Sequence, residues 1–154
     1  MGVLLANEQA DEVDTVELRQ IAETVLREEG FPDDTEVTIV LVSDDEIADY
    51  NARYLGGEGP TDVLSFPIEP LTPGVVPDRD PAGPPLVIGD VLIAPSYVRR
   101  AADEMGVSFE DEMALMTAHG ILHLMGYDHE EDDEATVMED RERQLLAMVG
   151  RKRR

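Results

Sequence analysis

All three histidines of the chain lie within eleven residues, His119-Gly-Ile-Leu-His123-Leu-Met-Gly126-Tyr-Asp128-His129. Neutral imidazole is the commonest protein ligand for transition metals. His119 and His123 are four residues apart, so on a helix they stand one turn apart on the same face. Gly126 follows three residues after His123, where a glycine can take the left-handed conformation that ends a helix. The chain can then double back and bring His129 toward the first two rings. Three imidazoles with one open position are the ligand set of a catalytic zinc site. Two histidines at this spacing are common on ordinary helices. The third, with a turn glycine between, sets the segment apart. The chain has no cysteine, so no thiolate takes part. The nitrogen donors suit zinc best and also accept nickel, copper or iron.

The spacing is similar to that of the metzincin zinc peptidases, H-E-x-x-H-x-x-G-x-x-H, with Gly120 in place of the glutamate. In those enzymes the glutamate is the general base. Here the metal ligands are kept and the base is missing, which points to a hydrolase whose substrate does not need it.

Other elements must hold these ligands in place. From Met113 to Met125 nearly every side chain but the histidines is apolar, so the segment reads as a buried central helix, with Ser108 and Asp111 as its capping box. Asp14 and Glu17 cap an earlier helix whose apolar face is Leu18, Ile21, Ala22, Val25 and Leu26, and Gly30 with Pro32 ends it. Ser43 and Glu46 open a third helix that runs to about Leu55. Pro95 starts a fourth that stops at Gly106. A last helix spans residues 132–149 with an acidic first turn.

Residues 3–7 read as an edge strand. Residues 36–42, apolar on both faces, read as a central buried one. Residues 61–66 form a short strand closed by Pro67. Residues 86–94 form another, with Gly89 marking a bulge or a close backbone approach. Residues 67–85 hold seven of the ten prolines and read as a flexible loop. This pattern predicts an α+β fold: one domain over residues 1–150, with a small mixed sheet of about four strands packed with about five helices. The metal site falls on the central buried helix, and residues 151–154 form a basic tail.

Twelve basic and 35 acidic residues give a net charge of −23. Such a charge repels nucleic acid at long range and argues against a generic nucleic-acid binder. It leaves room for an enzyme with a local positive metal site. Four of the twelve basic residues are the final Arg151-Lys-Arg-Arg154. That tail reads either as a source of phosphate contacts or as a disordered, charge-balancing end. It holds no ligand, so its removal is expected to leave the metal site untouched. No apolar run approaches a membrane span, and the N-terminus lacks the basic region of a signal peptide. A cytoplasmic protein with no membrane partner is the expectation.

The stretch His119–His129 resembles the signature of the YbeY family of metal-dependent endoribonucleases. Thr61-Asp-Val-Leu-Ser-Phe-Pro67 is similar to the family's second signature. Asn51-x-x-Tyr54, the Gly89-Asp90 strand and the helix order match as well. The resemblance implies a single-strand-specific endoribonuclease acting in 16S rRNA 3′-end maturation and ribosome quality control. One Zn2+ per chain would sit on His119, His123 and His129. The implied partners are single-stranded RNA, 16S rRNA and the small ribosomal subunit, with no DNA expected.

The family pattern commonly has an arginine directly after the tyrosine that here is Tyr54, and that arginine is taken to meet the RNA phosphate. This chain has Leu55 there, and Arg53 is the nearest candidate for the contact. Asp128 is a candidate to orient a histidine or accept a proton, set against an ordinary turn aspartate. RNA carries its own 2′-hydroxyl nucleophile, and zinc acidifies water. Either route removes the need for a glutamate at position 120. The rival readings are a zinc-containing ribosome assembly factor without catalysis, and a zinc hydrolase of small phosphoesters or peptides.

Overall fold

The structure, a computed structural model, describes residues 2–154. Short polar signals set where its helices begin. The Asp14 carboxylate accepts from the Glu17 N–H at 3.1 Å, opening α1 (Thr15–Glu28). The Ser43 hydroxyl accepts from the Glu46 N–H at 3.2 Å, opening α2 (Asp44–Leu55). Pro95 starts α3 (Pro95–Met105), where its missing N–H costs nothing. The Ser108 hydroxyl accepts from the Asp111 N–H at 3.1 Å, opening α4 (Phe109–Leu124). The last helix is α5 (Asp132–Met148).

Four strands, β1 (Gly2–Asn7), β2 (Glu36–Leu41), β3 (Val63–Pro67) and β4 (Val87–Ile93), form one sheet in the order β1-β2-β4-β3. The first three in that order run parallel, and β3 pairs antiparallel with β4. The expected mixed four-stranded sheet with five helices is therefore what forms. The bulge expected near Gly89 is present: Glu36 pairs with Val87 and Val37 with Gly89, so Ile88 is the extra residue. A Cβ on Gly89 would lie 2.3 Å from the Phe66 carbonyl oxygen, so only glycine lets β3 approach.

One face of the sheet buries Val37, Ile39, Leu41, Val91 and Ile93 against the apolar sides of α1 and α4. Helix α4 is buried on nearly every side, as its sequence demands. The other face is different. The sequence suggested that β2 is covered on both sides, but Glu36, Thr38 and Val40 are only half-buried. Helix α2 covers this face through Ile47, which packs with Leu64 and Leu92 in a smaller cluster, and does not extend over the rest. The long connection from β3 to β4 has no helix or strand. It is nevertheless tied to the body of the fold. Leu71 and Val76 pack on the core, and Arg79 pairs with Asp34 at 2.9 Å.

Candidate metal centre

Two of the three histidines come from the buried helix, and the third comes from the turn that ends it. Helix α4 carries His119 and His123 on one face. Beyond it the Tyr127 N–H donates to the Leu122 carbonyl at 3.1 Å and closes the helix end. Gly126 makes that closure possible. Its φ is +100°, and a Cβ there would lie 2.0 Å from the Leu71 carbonyl oxygen. Both backbone conformation and space exclude any other residue. The reversed chain brings His129 back to the first two rings. Ring centroids are 4.6 Å apart for His119–His123, 5.0 Å for His123–His129 and 5.3 Å for His119–His129. One nitrogen from each ring lies within 4.8 Å of the other two.

The surrounding hydrogen bonds favour metal-binding imidazoles. The Nδ1 of His119 lies 2.6 Å from the Glu142 carboxylate on α5. An ionised carboxylate only accepts, so Nδ1 carries a proton, which in the neutral ring leaves the Nε2 lone pair free for a metal. Glu142 is fully buried. Burial alone would raise its pKa, but hydrogen bonds from His119 and Arg153 outweigh that and hold it below the usual carboxylate range. Burial, then the neighbouring His119 and His129, push His123 below its ordinary value of 6.5. The shift favours the neutral ring, the form that binds metal.

A second buried carboxylate holds the loop that presents His129. Glu29, at the end of α1, accepts from the Tyr127 hydroxyl at 2.6 Å and from the Arg141 Nε at 2.7 Å. Burial and this bond push the Tyr127 phenol up to about 12. Asp128 points elsewhere: its Oδ1 accepts from the His129 N–H at 2.7 Å. It thus acts on His129 through the backbone turn.

The three histidines open into a cleft of about 590 Å³ whose opposite wall is β3, with Val63, Ser65 and Pro67 beside Leu55. Ser65 lines this wall and donates its hydroxyl to the Gly120 carbonyl at 2.9 Å, which ties α4 to the sheet edge. Gly120 faces the sheet. A Cβ there would lie 2.5 Å from Val91 Cγ1 and 3.3 Å from Val63 Cγ2. The missing glutamate thus has a packing cause, since α4 lies too close to β4 to carry a side chain at that position. Arg53 is exposed and pairs with Asp49 at 3.3 Å, and it is not among the described residues that line the cleft. Leu55, at the family's arginine position, does line it.

The basic tail corrects an expectation. It is neither a disordered end nor a free cationic patch. Arg151 pairs with Glu17 at 2.5 Å and Asp111 at 3.4 Å, Arg153 with Glu142 at 2.8 Å, and Arg154 with Glu112 at 3.0 Å. Glu112 and Glu142 are buried acids that need such partners. Through Glu142 the tail touches the histidine centre, a contact that the expectation of an independent tail did not include. Glu142, Arg153, Glu29 and Tyr127 escaped the sequence reading. One signal was available: Met138, Glu142 and Leu145 share the apolar phase of α5, which places an acid on its buried face.

An α+β domain with three imidazoles gathered at the end of a buried helix defines a protein able to hold a metal ion by histidine alone. A family model described as "Endoribonuclease YbeY" matches residues 4–150. The chain belongs to the YbeY endoribonuclease family. It is 41% identical over 149 residues to Endoribonuclease YbeY of Acidothermus cellulolyticus, covering 96% of this chain and 87% of that one. It is 41% identical over 148 residues to the protein of the same name from Frankia casuarinae, covering 96% and 74%. It is 38% identical over 146 residues to that of Mycolicibacterium smegmatis, covering 95% and 82%. The solution structure of a Thermotoga maritima protein superposes with a TM-score of 0.64 at 28% identity, covering 96% of this chain and 88% of that one. No helix among the described residues is long and apolar enough to cross a membrane.

Proposed function

We propose that the cleft between β3 and the three histidines is the active site of a single-strand-specific, metal-dependent endoribonuclease. It acts in 16S rRNA 3′-end maturation and ribosome quality control in the cytoplasm, with the small ribosomal subunit as partner. The observation that carries this reading is the convergence of His119, His123 and His129, with nitrogens within 4.8 Å of one another, at an open cleft in a chain of the YbeY family.

His119, His123 and His129 would hold one zinc ion, with Glu142 fixing the tautomer and orientation of the first. When bound, such an ion supplies Lewis acidity at a phosphoryl oxygen and acidifies water. The protein's own groups orient the substrate and the ligands. Asp128 holds the His129 turn through its backbone, and Glu29 with Tyr127 anchors that turn to α1. Leu55, Val63 and Pro67 give the cleft an apolar wall that keeps water from one side of a bound strand. RNA brings its own 2′-hydroxyl, so the absence of a peptidase base at Gly120 leaves no gap in the chemistry. Arg53 is the candidate phosphate contact and would exchange Asp49 for the substrate.

The net charge of −23, with most arginines already paired to acids of the same chain, leaves little basic surface for RNA. Weak affinity for isolated RNA follows, with the ribosome supplying the remaining positioning. The test offers the purified protein single-stranded RNA, duplex RNA, single-stranded DNA, casein and a small phosphodiester. Cleavage confined to single-stranded RNA supports the reading. Cleavage of casein or of the small ester, with RNA untouched, overturns it.

A further inference from the structure

The C-terminal tail reaches the histidine centre through a single buried carboxylate. Gly150 (φ +75°) turns the chain back after α5, and the Arg151 N–H donates to the Leu146 carbonyl at 2.9 Å. This lays Arg153 against the side of α5, where its side chain is 13% exposed. All three arms of its guanidinium are used. Nε donates to Glu142 Oε1 at 2.8 Å and Nη1 to the Arg154 carbonyl at 2.8 Å, while Nη2 lies 3.3 Å from Glu139. The other oxygen of Glu142, Oε2, accepts a hydrogen bond from the Nδ1–H of His119 at 2.6 Å. The Glu142 carboxylate therefore lies between two donors, one on each oxygen, with its side chain 1% exposed and no solvent to replace either.

We infer that Arg153 is a positioning residue for the metal centre, acting through Glu142 on His119. Resting on the metal-site reading above, this gives the basic terminus a task inside the fold. A carboxylate held on both oxygens cannot rotate. Its lone pair stays aimed at Nδ1, and His119 keeps Nε2 directed into the cleft. Without Arg153 one oxygen is buried without a partner, the carboxylate turns to find another donor, and the His119 ring loses its fixed orientation. A lysine cannot supply the same arrangement, because its ammonium is a point charge without the planar fork that spans Glu142, Glu139 and the Arg154 carbonyl. Arg151 is the natural contrast. It ties α1 to α4 through Glu17 and Asp111 and has no contact with Glu142.

The experiment uses the full chain with Arg153→Met, Arg153→Lys, Arg151→Met and, on the exposed tail residue between them, Lys152→Met. Two quantities are measured on each: zinc affinity by competition titration, and the His119 tautomer in the metal-free protein by long-range proton–nitrogen NMR. Arg153→Met is expected to weaken zinc binding by up to about 10-fold, the lower end of the range for losing the direct partner of a metal ligand, because it acts one contact further out through Glu142. His119 is expected to change from a single Nδ1–H tautomer to a mixture. Arg153→Lys should recover only part of both. Arg151→Met should lower the melting temperature while leaving zinc affinity and tautomer unchanged, and Lys152→Met should change nothing. Wild-type zinc affinity and an unmixed tautomer in Arg153→Met would overturn the inference. If Arg153→Met does not fold, Arg153→Lys decides on the same two readouts. If the wild-type chain binds no zinc, the metal-site reading fails, and the tautomer measurement still decides whether Arg153 orients His119.

Discussion

Gly120→Ala sets helix propensity against packing, and the structure says which prevails. Alanine is about 1 kcal/mol better than glycine inside a helix. On propensity alone the substitution stabilises α4. The added Cβ, however, would lie 2.5 Å from Val91 Cγ1, with Val91 Cγ2 and Val63 Cγ2 both at 3.3 Å. Carbon atoms pack at about 3.5–4.0 Å, so the closest contact needs about 1 Å of relief. Val91 has 0% exposure on an interior strand, so its branched side chain can move only against other core residues. Overpacking of this kind costs about 1–3 kcal/mol, and a clash this close belongs in the upper half of that range. The net expectation is a loss of about 1–2 kcal/mol. For a domain of this size that lowers the melting temperature by roughly 2–8 °C. The assay is thermal unfolding of the metal-free protein, so that ligand binding does not mask the change. Because Gly120 lies between His119 and His123 on one helix, lifting α4 off β4 is also expected to weaken zinc binding. A variant that melts higher than wild type by the few degrees that propensity predicts would refute the packing account of this position. Gly120→Glu, which restores the metzincin pattern, should be more disruptive still and should gain no cleavage of casein.

Three further perturbations address the groups around the ligands. In the metal-free protein His123 should titrate below 6.5 by NMR. Because its folded pKa is depressed, the unfolded chain takes up the proton first, so this part of the stability is present above 6.5 and is lost as pH falls; a midpoint at or above 6.5 contradicts it. Tyr127→Phe leaves Glu29 with Arg141 alone and should cost about 1.5–3 kcal/mol by urea unfolding at neutral pH. The phenol is raised from 10.0 to about 12, so its contribution is present below pH 10 and is lost between 10 and 12. The variant should lack that alkaline decline, and an unchanged decline would exclude Tyr127 as its source. Asp128→Asn keeps the acceptor for the His129 N–H and loses only the charge. It should retain most RNA cleavage, whereas Asp128→Ala should not; a collapse in the Asn variant would mean that Asp128 accepts a proton.

Local features of the fold were legible in the chain because their causes are local. Asp14, Ser43 and Ser108 each cap the helix that follows within three residues, and Gly126 ends α4 one turn after His123. The gathering of the three histidines was legible for the same reason, since helical spacing and a turn glycine bring them together. What remained hidden depends on long-range packing. Glu142 is 23 residues from His119, and Tyr127 is 98 residues from Glu29. No local pattern pairs them. The tail looked like a free basic patch because its partners, Glu17, Glu112 and Glu142, are spread over three helices. Gly120 read as a missing base until the sheet behind it supplied a steric reason. The open part of the outer sheet face was hidden because the apolar run of β2 does not reveal how far α2 extends over it.

The central claim is that His119, His123 and His129 hold one metal ion on which RNA cleavage depends. Its most direct test strips the protein with a chelator, then adds zinc stepwise while single-stranded RNA cleavage and bound metal are measured in the same samples. The account predicts no cleavage in the stripped protein. Cleavage should rise in proportion to bound zinc and level off at one ion per chain, and His119→Ala, His123→Ala and His129→Ala should each lose bound metal and cleavage together. Full RNA cleavage by the stripped protein, or by a histidine variant that binds no metal, would contradict it.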